Sequence, residues 1–309
     1  MKKVFIDGAA GTTGLRLNER LAERKDIELI KLPEELRKDA SAREEALNSC
    51  DIAFLCLPDS AAKEAVSLIR NTDIAVIDTS TAHRCDENWE YGFPELSFRR
   101  ERIARSKRIA NPGCHASGFI ALVAPLTECG ILKKDAFLSC VSLTGYSGGG
   151  KKMIAEYESF ERSALLDAPR EYGLNQSHKH VPEMLKMCSL KNAPAFMPIV
   201  APFYAGMLVT VPLFAEQFVS SVSVAELTRV YSDYYRSGVV SVCENADENG
   251  FLSASALANR DDMQISVFGN GERMIAAARF DNLGKGASGA AVQNMNILLG
   301  VDEKEGLVL

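Results

Sequence analysis

The sequence predicts an α/β protein in two parts: a doubly wound parallel sheet, then an α+β domain built on a mostly antiparallel sheet. Three observations predict this. Short apolar runs alternate with helix-like stretches over the first hundred residues, the rhythm of parallel strands covered by helices on both faces. A turn with regularly spaced glycines, GAAGTTG, directly follows the first run. Beyond about residue 130, strand-like segments follow one another without a helix after each, which favours antiparallel pairing.

The first-part strands are expected at Val4 to Asp7, Ile27 to Leu32, Asp51 to Leu57 and Ile74 to Asp78. Helices are expected at Leu15 to Arg24, Ser41 to Asn48 and Ser60 to Arg70. AFLCL and IAVI are almost uninterruptedly apolar, as strands buried between two helix layers must be. In the second part, strands are expected at Ala136 to Leu143, Phe196 to Pro202, Met207 to Pro212, Val239 to Val242, Met263 to Phe268 and Met274 to Phe280. Covering helices are expected at Val224 to Tyr235 and about Glu183 to Leu190. A last helix, about Ala287 to Leu299, follows the turn LGKGASG. These patterns set a dinucleotide-binding domain over residues 1–113 with 282–309, and a catalytic and substrate domain over 114–281.

A chain of 309 residues, 47% hydrophobic and 25% charged, has enough interior for two such cores. The net charge of -6 argues against nucleic acid or an anionic membrane as the main partner. No apolar run approaches the ~18 residues that cross a bilayer, and Asp7 interrupts the N-terminal run too early for a secretory segment. The eight cysteines contain no CxxC pair, so zinc-ribbon and thioredoxin chemistry have no support. Reduced thiols in a cytoplasmic protein are expected.

In GAAGTTG, Gly8, Gly11 and Gly14 recur every third residue between a strand and a helix. Glycine lets backbone approach a pyrophosphate and lets the helix pack close to the strand, as in Rossmann-like folds. The helix start then offers free N–H groups to the phosphates. A tight turn without a ligand is the plainer alternative. After the second strand, Glu34 and Glu35 allow NAD, whereas Thr12, Thr13, Arg37 and Lys38 suit a 2′-phosphate; the reading adopted is NADP.

ANPGCHASGFIALVAPL holds the most informative cysteine. Asn-Pro-Gly turns sharply, Cys114 stands at its exit, and an apolar helix is expected a few residues later. A thiol at a helix N-terminus ionises more readily and becomes a nucleophile. Such a nucleophile needs an acid or base, and HKHVPE supplies His178 and His180 with Glu183 close behind. If this stretch is extended, the two imidazoles face the same way and Glu183 can orient one. His115, adjacent to the cysteine, is expected to point elsewhere. A third convergent metal ligand is not evident, so no metal is expected. Arg84, in IDTSTAHR, would lie beyond a strand end and suits a phosphate or carboxylate. TGYSGGGKK offers Ser147, Gly148 and Lys151 for substrate contact, or is merely a flexible connector.

Taken in order, GAAGTTG, TSTAHR, NPGC, GYSGGGK, HKHVPE and DNLGKGASGAAVQNMN resemble the shorter form of N-acetyl-γ-glutamyl-phosphate reductase. The resemblance runs from residue 8 to about 297. It implies Cys114 as nucleophile and His180 as acid/base, with His178 and Glu183 completing the site. It also implies that Arg84 binds an anionic substrate group and that the turn carrying Asn282 and Gly286 approaches the nicotinamide. The implied chemistry is NADPH-dependent reduction of a small acyl phosphate through a Cys114 thioester, in arginine biosynthesis. The expected assembly is a homo-oligomer, dimer or tetramer. One departure stands out: the family more often has an aromatic residue and then a threonine after NPGC, where this chain has His115, Ala116 and Ser117. The rival expectations are a semialdehyde dehydrogenase acting on aspartyl phosphate and a non-catalytic NADP sensor.

Overall fold

A computed structural model describes all 309 residues. The chain divides into two compact units, Met1–Pro112 with Ala287–Leu307, and Gly113–Gly286 with Val308–Leu309.

The first unit starts with β1 (Lys2–Asp7), α1 (Thr12–Ala22), β2 (Ile27–Ile30), α2 (Ala40–Ser49), β3 (Ile52–Leu55), α3 (Asp59–Leu68) and β4 (Ala75–Asp78). Then come β5 (Glu90–Tyr91), α4 (Arg99–Arg105) and β6 (Arg108–Ala110). The strands pair in the order β2-β1-β3-β4-β6-β5, every pair parallel. Alternate residues serve opposite faces, as the pleat requires. Val4, Ile6, Ile52, Phe54 and Ile77 pack with Leu17 and Leu21 of α1. Phe5, Ala53, Leu55 and Val76 pack with Leu47 of α2 and Ala62 and Ala65 of α3. The sheet is therefore doubly wound, and the chain switches direction across it between β1 and β3.

The second unit begins with α5 (Cys114–Glu128), β7 (Ser139–Gly145), α6 (Gly150–Glu158), β8 (Arg170–Glu171), α7 (Val181–Met187), β9 (Ala195–Ala201) and β10 (Met207–Phe214). It continues with α8 (Val224–Tyr234), β11 (Val240–Val242), β12 (Met263–Gly269) and β13 (Arg273–Phe280). These strands form one sheet in the order β11-β12-β13-β10-β7-β9-β8. The β11/β12 and β7/β9 pairs are parallel and the other four antiparallel, so the sheet is mixed with an antiparallel majority. A wide turn over Gly284–Ser288 leads into α9 (Gly289–Leu299), whose Val292 and Met295 join the core of the first sheet.

Three differences from the sequence expectations have physical causes. The segment between β4 and β6 shows no clear period in the sequence because α4 is a basic seven-residue helix with one buried residue, Ile103. Residues 150–158 form a helix, because GGG gives way to MIAEYE, which buries Tyr157. Helix α5 starts at Cys114 itself, not a few residues on.

Helix α5 is apolar all round, and every residue from His115 to Thr127 is buried, as expected of a helix enclosed by protein. Pro125 interrupts it and cannot donate to the Ala121 carbonyl one turn earlier. The Tyr235 hydroxyl donates to that carbonyl instead, at 2.7 Å. Tyr235→Phe should therefore strand a buried acceptor and cost about 1–3 kcal/mol, read as a lower denaturant midpoint at unchanged slope; an unmoved midpoint would contradict this account of how the helix tolerates proline.

Candidate active site

Each unit carries its own group of candidate residues. In the first, β1 ends at Asp7 and Gly8 turns the chain with φ +85°, a conformation that disfavours any side chain. A Cβ there would lie 2.3 Å from the Cys56 carbonyl oxygen, and one on Gly14 would lie 2.4 Å from the Gly8 oxygen. Gly11 caps α1 without a side-chain bond, and the first turn holds no acidic residue. Thr12 Oγ1 is buried with no hydrogen-bond partner. A helix start free of acidic side chains, a close-packed glycine backbone and an unsatisfied hydroxyl fit a dinucleotide pyrophosphate. Thr13 is half-buried beside Thr12. Arg37 lies outside this cradle in an exposed turn, 4.0 Å from Glu34.

Arg84 is buried at the strand ends of the same unit. Its Nε donates to the Asn111 carbonyl at 2.9 Å and one Nη to the Thr79 carbonyl at 3.1 Å. Two features near these strand ends escaped the sequence reading. Asp7 is paired with Arg43 at 2.9 Å, both buried. His83 Nδ1 lies 2.6 Å from Asp78 Oδ2, and its ring stacks on Trp89 at 4.1 Å. The acidic residues closing β1 and β4 were the available signals.

The second unit gathers the chemistry around the start of α5. Gly113 is the N-cap, and Cys114, half-buried, is the first helical residue. Glu183, in the first turn of α7, is buried; its Oε2 accepts from the Gly113 N–H at 3.2 Å. Its Oε1 lies 4.0 Å from His180 Nε2. His178 and His180 converge through a turn, not an extended strand. The His180 N–H donates to His178 Nδ1 at 3.1 Å, and the rings meet edge to face at 4.7 Å.

His115 reverses its expectation. Its ring lies in this same cluster, with its centroid 5.6 Å from that of His180 and 5.8 Å from that of His178. Its nitrogens bond Ser142 Oγ and the Tyr172 hydroxyl, each at 2.7 Å. Burial, assisted by His178, pushes its pKa down to about 3. Ser142 and Tyr172 were missed because neither carries a local motif.

The glycine-rich segments pack tightly here. Ser147 is buried and accepts from Asn282 Nδ2 at 3.0 Å, while Asn282 Oδ1 accepts from the Gly206 N–H at 2.9 Å. A Cβ on Gly148 would lie 3.3 Å from Asn282 Nδ2, and one on Gly286 would lie 3.0 Å from Cys114 Cβ. Lys151 stands apart, exposed on α6. Among the other cysteines, burial pushes Cys50 up to about 12 and raises Cys140 and Cys188 well above the ordinary thiol range. All eight cysteines are free.

Comparison with known proteins fits this geometry. Residues 114–282 match the family model for the semialdehyde dehydrogenase dimerisation domain, and 31–106 the model for its NAD binding domain. The chain is 45% identical to N-acetyl-gamma-glutamyl-phosphate reductase 2 of Nostoc sp., over 99% of each chain. It is 44% identical to N-acetyl-gamma-glutamyl-phosphate reductase of Rhizobium meliloti, over 96% of this chain and 98% of that one. The chain belongs to the N-acetyl-γ-glutamyl-phosphate reductase family. Solved structures similar to this family member include aspartate semialdehyde dehydrogenase II of Vibrio cholerae, complexed with ASA. That match has TM-score 0.73 at 16% identity and covers 97% of this chain and 98% of that one. Aspartate semialdehyde dehydrogenase of Candida albicans, solved with NADP, matches with TM-score 0.67 at 15% identity over 98% and 99%. At these identities the structures show the shared fold. No helix is long and apolar enough to cross a membrane.

Two expectations follow from this reductase-family geometry. Thr12→Val should weaken NADPH binding by about 3- to 10-fold without lowering the melting temperature, since the hydroxyl has no protein partner; unchanged affinity in a fluorescence titration would remove Thr12 from the cradle. The pKa of His115, about 3 when folded, lies below its unfolded value of about 6.5. Below that unfolded value the unfolded chain binds a proton that the folded one refuses, so stability falls as pH drops from about 6.5 towards 3, by up to about 1.4 kcal/mol per unit. His115→Gln should flatten this part of the acid profile, and an identical profile would contradict the buried neutral imidazole.

Proposed function

We propose that the chain reduces N-acetyl-γ-glutamyl phosphate to N-acetylglutamate semialdehyde and phosphate with NADPH, a step of arginine biosynthesis. One observation carries the reading: Glu183 links the N-cap of the Cys114 helix with His180. This is the grouping of nucleophile, acid/base and orienting carboxylate that covalent acyl transfer needs.

Cys114, as thiolate at the start of α5, attacks the acyl carbon; the carbon–oxygen bond to phosphate breaks, leaving a thioester on Sγ. Bound NADPH supplies the hydride that reduces this carbon. His180, oriented by Glu183, protonates the resulting tetrahedral oxygen. Collapse re-forms the carbonyl, returns that proton to His180 and releases Cys114 as thiolate and the product as aldehyde. Backbone N–H groups at the α5 start help hold the developing negative oxygen. His178, whose Nδ1 accepts from the His180 N–H, keeps the two rings in register. Gly8, Gly11, Gly14, Thr12 and Thr13 hold the cofactor phosphates, Arg37 serves its 2′-phosphate, and Asn282 and Gly286 serve the nicotinamide side. Arg84, Ser147, Gly148 and Lys151 are assigned to the anionic substrate, with Ser147 acting through Asn282.

The dimerisation-domain match supports a dimer or a tetramer built from dimers. Eight free thiols and a thiolate mechanism suit the cytoplasm.

Phosphate-dependent reduction of NADP⁺ by N-acetylglutamate semialdehyde tests the reaction, with aspartate semialdehyde run beside it. Faster turnover of the aspartyl compound would sink the substrate assignment. Cys114→Ser should abolish turnover and leave NADPH affinity unchanged, and His180→Asn should lose at least about 10²-fold in kcat; a wild-type rate in either variant would remove that residue from the mechanism.

A further inference from the structure

A buried hydrogen-bond chain runs beside the start of α5. Ser142, on β7 with no exposed surface, bonds His115 Nδ1, and His115 Nε2 bonds the Tyr172 hydroxyl. Counting donors and acceptors places the hydrogens. Were Nδ1 protonated, on a neutral or a charged ring, Ser142 would have to accept. Its own proton would then be buried without an acceptor, because His115 is its only side-chain partner. With the proton on Nε2, Ser142 donates to Nδ1 and Nε2–H donates to the Tyr172 oxygen, so all three groups are satisfied.

This direction has a consequence at the far end. The single partner of the Tyr172 hydroxyl is the nitrogen that donates to it, which leaves the phenolic proton for something outside the chain. Tyr172 is half-buried, and its ring lies 5.8 Å from that of His178. Burial raises its pKa well above the usual phenol range, and a charge on Cys114 would raise it further, so it stays protonated; its hydroxyl is held by His115, the residue next to Cys114 at the start of α5.

We propose that Tyr172 donates a hydrogen bond to the oxygen of the acyl group carried on Cys114, and that His115, fixed by Ser142, is the positioning residue that directs it. This deepens the reductase reading and rests on it. The acyl oxygen is the acceptor that gains charge when the thioester is reduced, so a donor held there counts most in the transition state.

The test uses the full-length enzyme and three variants, Tyr172→Phe, His115→Phe and His115→Gln. Tyr172→Phe should lower kcat about 10- to 100-fold with KM for the acyl phosphate and NADPH affinity within about twofold of wild type. His115→Phe should approach the same loss, and combining the two should add little, because both break one chain. His115→Gln should recover most of the rate, since its amide can accept from Ser142 and donate to Tyr172. A wild-type kcat in Tyr172→Phe overturns the donor role; equal losses in His115→Gln and His115→Phe overturn the positioning role. Nitrogen-15 NMR of the histidines supplies a readout free of turnover. An Nε2-protonated His115 supports the chain, and an Nδ1-protonated one overturns it. A wild-type enzyme inert towards every acyl phosphate removes the reductase reading and the donor role together, whereas the tautomer still decides the chain by itself.

Discussion

The carboxylate of Glu183 is the joint on which the arrangement around the start of α5 depends. It is almost wholly withdrawn from solvent, at 1% exposure, and one of its oxygens accepts from the Gly113 N–H. A buried carboxylate is costly unless its oxygens are met by donors. Here the donor is the N-cap of the helix that begins with Cys114, and the other oxygen faces the imidazole of His180 across 4.0 Å. One side chain thereby ties the start of the Cys114 helix to the position of His180. Glu183 itself stands in the first turn of α7, where an anion is favoured by the helix dipole, so its own placement is supported locally.

Helix α5 turns that joint into a fixed platform. Its thirteen residues from His115 to Thr127 are buried, so the helix cannot shift without opening the core of its unit. Between Ser117 and Thr127 the helix carries no polar side chain, and its first turn holds Cys114, His115 and Ser117. Pro125, which would weaken an ordinary helix, is accommodated because a tyrosine hydroxyl replaces the missing N–H. The same enclosure distinguishes the cysteines. Cys50, Cys140 and Cys188 are buried in hydrocarbon and resist ionisation, whereas Cys114 is half-buried at a helix start. Position relative to backbone dipoles and solvent, not the thiol itself, sets how readily a cysteine ionises.

The cofactor features obey a different logic. Around Gly8 and Gly14 the constraint is steric, since any Cβ would meet backbone oxygen within 2.4 Å. Thr12 carries the electrostatic counterpart, a hydroxyl that nothing in the protein satisfies. Steric necessity and an unsatisfied buried hydroxyl arise at one turn. Arg37, by contrast, stands exposed with Glu34 as its partner.

Periodicity and spacing within the sequence were sufficient for the two-part α/β architecture, for β1 to β4 of the first sheet, for all strands of the second except β8, and for the glycine turn; the short β5, β6 and β8 carry too few residues for a period to show. Those depend on neighbours within about one turn or one pleat, which a linear pattern records. Motif order also pointed to the reductase family and to Cys114 with the HKHVPE segment. The pattern failed where meaning lies between distant residues. Ser142, His115 and Tyr172 lie 27 and 57 residues apart along the chain and meet through two 2.7 Å bonds. His115 was expected to point away and instead joins the histidine cluster, and the turn before α7, not an extended strand, brings His178 and His180 together. Only the folded chain decides such partnerships, because a buried polar atom takes whichever donor or acceptor packing delivers to it, and local sequence does not encode which one arrives.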